Sequence, residues 1–193
     1  MDKQVLVLAD FDETIIDCDS LVTIMKREKW FFDISLIWAG IGIACAKVFK
    51  GDVYKKRSAF KYIMMQKYNK LYDASVDKYI EYFKNHLNSE VLSKIRELDA
   101  DRIVIASASA ESLICRVLEG VLNVDTVIAN VMSDNKKEFK TCYGQQKADR
   151  VCQQISDYKD CEIYVFSDSM SDKPIFDLGK VKYLVKDGHL SEI

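Results

Sequence analysis

The chain is 193 residues long, 49% apolar and 30% charged, and its 28 cationic and 30 anionic side chains leave a formal charge of −2. These values exclude a disordered chain, allow one domain with a real core and a modest insertion, and supply no basic excess for nucleic acid. Six cysteines, at 18, 45, 115, 142, 152 and 161, form no CxxC and no Cys/His cluster, so free thiols in a cytoplasmic protein are expected.

A first strand is expected at Gln4–Ala9, which runs directly into Asp10, Asp12 and Glu13 in "VLVLADFDET". From about Asp19 to Asn88 the pattern stops alternating and reads as consecutive helices: Leu21–Trp30, Ile34–Phe49, Val53–Asn69 and Ala74–Leu87. The last carries Val76, Tyr79, Ile80, Phe83 and Leu87 on one stripe, with Asp73 or Ser75 as its N-cap. So long a helical block cannot be an ordinary connection. It is expected to be an inserted subdomain at 18–88 within a core made of 1–17 and 89–193.

Within that block, Ile34–Ala46 ("ISLIWAGIGIACA") carries no charge. It is shorter than the roughly 20 residues a helix needs to cross a bilayer. A buried helix is preferred over an apolar surface for a lipid or a second subunit.

Strands follow at Arg102–Ala106, Thr126–Val131, Glu162–Phe166 and Lys182–Val185, mostly continuous apolar runs suited to a sheet covered on both faces. Helices are expected at Ala110–Leu122, with Leu113, Val117 and Val121 at helical spacing, and at Lys147–Ser156. Val127–Cys142, two strand-like stretches around "SDNKKE", suggests a hairpin. The alternation predicts an α/β fold, a doubly wound parallel sheet.

In such sheets ligands bind beyond the carboxyl ends of the strands. Those ends carry Asp10 and Asp12, then Ser107 and Ser109, then Asp168 and Asp172, and Lys147 opens the helix before the fourth strand. Residues two apart in extended backbone share a face, so Asp10 and Asp12 point to one site while Phe11 turns into the core. Glu13 has the opposite parity and is expected at the site entrance or in solvent. Converging carboxylates repel unless a cation joins them, and an all-oxygen donor set suits Mg²⁺. Ser107 and Lys147 then serve as phosphate ligands, a hydroxyl donor and a point charge. Beside such a phosphoryl group an aspartate can attack phosphorus.

With these residues in place, the chain resembles the haloacid dehalogenase (HAD) superfamily of phosphatases, in its phosphoserine phosphatase-like branch, over nearly its whole length. The family's Asp-x-Asp-x-Thr matches Asp10, Asp12 and Thr14, its Ser or Thr matches Ser107, its Lys matches Lys147, and its acid pair matches Asp168 and Asp172. The resemblance implies a Rossmann-like core with an inserted all-helical cap. It implies Asp10 as nucleophile through an aspartyl-phosphate, Asp12 as general acid and base, and Thr14 ordering the turn. It also implies Mg²⁺ held by Asp10, Asp12 through its carbonyl, and Asp168, with Asp172 joining or supporting the shell. Glu13, Ser167 and Ser171 depart from the family's usual residues.

For a small phosphorylated metabolite, the resemblance implies that Asp19 could hold a substrate amino group and Arg57 a carboxylate. A solvated helix face within "KKRSAFK" is the preferred reading of Arg57. The apolar segment and the basic stretch after it are also similar to phosphatidylglycerophosphate phosphatases of the branch, which would make the substrate a lipid phosphate and the cap peripheral to a membrane. A phosphorylatable receiver-like binding module lacks a helical insertion after its first strand, and is set aside on that ground.

Overall fold

A computed structural model describes residues 3–193. The chain opens with β1 (Val5–Ala9) and then runs through four helices, α1 (Ser20–Arg27), α2 (Ile34–Val48), α3 (Val53–Tyr68) and α4 (Asp73–Lys84). Alternation begins after α5 (Ser89–Glu97), with β2 (Arg102–Ala110), α6 (Glu111–Leu118), β3 (Thr126–Asn130), α7 (Gln145–Gln154) and β4 (Glu162–Ser167). The short α8 (Lys173–Phe176), β5 (Val181–Lys186) and β6 (His189–Glu192) complete the order.

The strands form one sheet in the order β3-β2-β1-β4-β5-β6, with every pairing parallel except β5 with β6. The apolar runs predicted from sequence supply both faces. Val7, Ala9, Ile105 and Phe166 face a core shared with α4, α5 and α6, while Leu6, Leu8, Val104 and Val165 face a second core under α7 and α8. Asp187 and Gly188, both at positive φ, make the two-residue turn into the antiparallel β6. That Asp-Gly pair is a hairpin signal, and β6 was not expected from the sequence.

Several expectations need correction. No hairpin forms over Val127–Cys142: β3 ends at Asn130 and the chain to Tyr143 has no strand. Its apolar residues anchor elsewhere. Phe139 packs edge-on against Tyr62 of α3, and the Asn130 side chain accepts from the Cys142 N–H at 2.7 Å, replacing a ladder partner. Neither Asp73 nor Ser75 caps α4, whose N-cap is Tyr72 with no side-chain bond.

The preferred reading of Ile34–Ala46 also fails. On α2 only Leu36 and Ala46 are buried, and Ile34, Ile37, Trp38 and Ile41 are exposed. Packed mainly against α3, the helix buries one narrow stripe, and most of its large apolar residues stay outside.

Candidate active site

The sheet order reverses around β1: β2 and β3 lie on one side, β4 and β5 on the other. A crevice therefore opens beyond the carboxyl ends of β1, β2 and β4. A cavity of about 380 Å³ occupies it, and Asp10, Asp12, Ser107, Lys147, Asp168 and Asp172 line it; Ser109 does not, being fully buried with its Oγ hydrogen-bonded to Ser20 Oγ at 2.5 Å.

Each arrives for a local reason. Asp10 leaves β1 with its N–H still bonded to the Phe166 carbonyl, while Phe11 is buried and Glu13 turns the chain at a φ of 55°. The β2–β3 register shifts between Ala106 and Ala110, and this irregularity turns Ser107 toward the cavity. Its Oγ accepts from the Ser109 N–H at 3.2 Å, which leaves its own proton to donate. Lys147 sits in the first turn of α7, which begins after Gly144 at a φ of 57°.

Lys147 is 2% exposed, and its ammonium bridges two carboxylates, at 2.8 Å to Asp10 Oδ2 and 2.6 Å to Asp172 Oδ2. Burial works against its charge, but the two acids outweigh burial and hold its pKa above the ordinary lysine value. Asp172 Oδ2 also accepts from Ser167 Oγ at 2.9 Å. Asp172 is thus committed to orienting the lysine. Among the described residues no three Asp, Glu, His or Cys side chains gather closely enough to hold one ion.

Burial and residual repulsion shift the other acids. Asp10 is pushed up to about 6 by burial, opposed by Lys147. Asp168 is pushed up to about 7 by burial and then by the charges of Asp10 and Glu13. Asp12 is pushed up to about 7 by burial and by Asp19, against the pull of Lys61 and of a hydrogen bond from the Ser20 N–H at 2.9 Å.

Asp19 lines the cavity, but its Oδ1 caps α1 by accepting from the Val22 N–H at 2.8 Å. Arg57 is not on a solvated face: it is half-buried, lines the cavity and lies over the Tyr143 ring at 4.5 Å. Glu13 stands exposed on the cavity rim. Thr14 Oγ1 is buried, and no described atom accepts or donates a hydrogen bond to it, so it does not order the turn by a side-chain bond.

Sequence reasoning missed Lys61 and Tyr143, both lining the cavity, and Ser20 and Ser167, which hold Asp12 and Asp172. Lys61 was findable, since it lies one helical turn from Arg57. A second cavity of about 210 Å³ shares Arg57, Lys61, Ala108 and Tyr143 with the first and adds Ile43 of α2, Phe60 and Thr141.

A doubly wound sheet with paired acids, a serine and a buried lysine at its switch point defines a hydrolase-type crevice. The family model for haloacid dehalogenase-like hydrolases matches residues 7–177, and the chain belongs to that family. No curated protein matches. Among solved structures, a protein of unknown function from Bordetella pertussis Tohama I is 14% identical with a TM-score of 0.66, covering 94% of this chain and 89% of its own. A substrate-bound phosphoserine phosphatase complex is 14% identical with a TM-score of 0.60, covering 94% and 86%. A phospho-aspartyl intermediate analogue of phosphoserine phosphatase is 15% identical with a TM-score of 0.55, covering 94% and 86%. The fold is that of these proteins.

Proposed function

We propose that this HAD-like hydrolase cleaves phosphomonoesters through an aspartyl-phosphate on Asp10, with residues 18–88 acting as a cap over the site. The observation that carries the reading is the convergence of Asp10, Asp12, Ser107, Lys147 and Asp168 from separate strand ends and a helix start into one cavity.

Asp10 supplies the attacking oxygen. Its Oδ1 accepts from the Phe11 N–H at 2.7 Å and its Oδ2 from Lys147, so the carboxylate is held in one orientation before substrate arrives. Lys147 and the Ser107 hydroxyl receive the phosphoryl oxygens and offset the charge that gathers there. Asp12, held at about 7, divides its time between protonated and ionised forms at neutral pH. It donates a proton to the leaving oxygen and then takes one from the water that hydrolyses the phospho-enzyme. Asp172 orients Lys147 through the 2.6 Å contact.

The donor set fits Mg²⁺. Asp10 and Asp168 are hard oxygen donors on one cavity, both held above the ordinary carboxylate range, and Asp168 has no ion-pair partner among the described residues. Two carboxylates and the Asp12 carbonyl would hold the ion, with water and phosphate as the remaining ligands. Bound there, it would neutralise phosphoryl charge.

The substrate is a small phosphorylated metabolite, with Arg57, Lys61 and Asp19 facing whatever the phosphate is attached to. The second cavity, with Ile43 and Phe60 in its wall, favours a second reading in which that group is an apolar chain. Phosphate release with Mg²⁺ from a panel of soluble and lipid phosphomonoesters tests both readings. Asp10→Asn is expected to lose turnover by about a thousandfold or more, and unchanged turnover in that variant sinks the mechanism.

A further inference from the structure

The exposed large apolar residues of this protein are concentrated in one stretch. Phe31, Phe32, Ile34, Ile37, Trp38, Ile41, Val48 and Phe49 are all exposed, with Phe32 at 73%, Ile34 at 70%, Trp38 at 66% and Phe49 at 80%. On α2 the positions 34, 37, 38, 41 and 48 recur at helical spacing, so they form one stripe along the helix. Phe31 and Phe32 stand just before the helix and Phe49 at its C-cap, all three exposed. The opposite side of α2 is occupied: Leu36 is buried, and Ile43 lines the cavity next to the catalytic one. Asp33 fixes the start of the helix by accepting from the Ser35 N–H at 2.9 Å and pairing with Lys67 of α3 at 2.6 Å. The stripe is therefore a face of an anchored helix, not a loose end.

Charge identifies what covers it. Between residues 26 and 61 lysine and arginine outnumber aspartate and glutamate nine to three, in a chain whose overall charge is −2. Lys29, Lys47, Lys50, Lys55 and Lys56 are all exposed around the ends of α2 and the start of α3. Lysines can lay their stems along an apolar surface and carry the ammonium outward. A second copy of this chain would bring two such lysine rims together, and like charges would oppose the contact. An anionic bilayer surface meets both requirements, apolar depth for the stripe and negative charge for the rim. No helix here is long and apolar enough to cross a membrane, and a helix lying in the interface does not need to be.

We propose that the α2 face, with Phe31, Phe32 and Phe49 at its ends, docks this protein on an anionic lipid surface. The contact uses no catalytic residue, so it stands or falls separately from the phosphatase reading.

The test is co-sedimentation of the full chain with phosphatidylcholine vesicles, with and without phosphatidylserine. It is paired with Trp38 emission in a Trp30→Phe background. The protein is expected to pellet with the anionic vesicles, and Trp38 emission to shift to the blue. Ile37→Ser with Ile41→Ser should weaken binding by about tenfold or more. Lys47→Ala with Lys50→Ala should weaken it by about tenfold or more on anionic vesicles only. Asp10→Asn should bind as the wild type does, and the serine variant should turn over a soluble phosphomonoester at the wild-type rate. Three results overturn the proposal. The protein stays in the supernatant with both vesicles, or it binds neutral and anionic vesicles equally with the lysine variant unaffected. The third is self-association in sedimentation velocity that the serine variant abolishes, which gives the face to a second copy instead.

Discussion

Replacing Lys147 with methionine isolates what the buried ammonium contributes to stability. The side chain is 3% exposed and satisfies two carboxylates at 2.8 and 2.6 Å, of which Asp172 is equally buried. Methionine has similar bulk and no charge, so the packing survives while Asp10 and Asp172 lose their cation. Breaking a buried ion pair from one side costs about 3–5 kcal/mol, because the remaining charge is neither solvated nor paired. For a chain of this length each kcal/mol lowers the melting temperature by about 2–4 °C, so Lys147→Met should melt about 6–20 °C below the wild type. The double variant Lys147→Met/Asp172→Asn removes the more deeply buried stranded charge and should regain about 1–3 kcal/mol. Urea unfolding followed by circular dichroism, at neutral pH without added metal, measures both. A single variant within about 1 kcal/mol of the wild type would refute the reasoning, as would a double variant less stable than the single.

Two further predictions concern parts of the fold remote from the cavity floor. The Asp33 carboxyl is held well below the usual carboxylate range by its hydrogen bonds to Lys67 and Ser35. A depressed folded-state pKa contributes stability that is fully present above the unfolded value of about 3.9 and is lost as pH falls through the folded value. Asp33→Asn should therefore be less stable than the wild type at pH 7, and thermal melts should show that gap narrowing below about pH 4; a gap equal at pH 7 and about pH 3 counts against the pairing. A Cβ at Gly179 would lie 2.5 Å from Val165 Cγ2 on β4 and 3.2 Å from the Val181 carbonyl. Gly179→Ala should thus cost about 1–3 kcal/mol of overpacking in a melting experiment, and an equally stable variant would show that the turn relaxes freely.

The crevice owes its character to an imbalance of charge that the protein maintains on purpose-built elements. One buried ammonium serves Asp10 and Asp172, while Asp12 and Asp168 have no such partner and sit near 7. Carboxylates in this condition are ready to bind a cation or to exchange a proton. Arg57 and Lys61 of α3 add two cationic side chains to the lining of the same cavity.

Much of this was written in the sequence. A period-2 pattern places Asp10 and Asp12 on one face whatever the fold around them, and continuous apolar strands demand cover on both sides, so the parallel sheet and the motif residues at its ends followed from local rules. The long non-alternating block after the first strand is likewise helical, as its pattern predicts, in α1 to α4. What local rules cannot supply is the identity of neighbours. Whether Asp172 meets a metal or a lysine depends on α7 and the turn after β4 arriving together, and there Lys147 reaches it at 2.6 Å. Arg57 read as a surface residue because the three cationic residues at 55–57 conceal that only Arg57 turns toward Tyr143. The hairpin expected over Val127–Cys142 dissolved because Phe139 found Tyr62 of a distant helix. The uncharged segment Ile34–Ala46 of α2 read as core because hydrophobicity reports what a helix could bury, and only its packing against α3 decided which stripe it did bury and which it left facing outward.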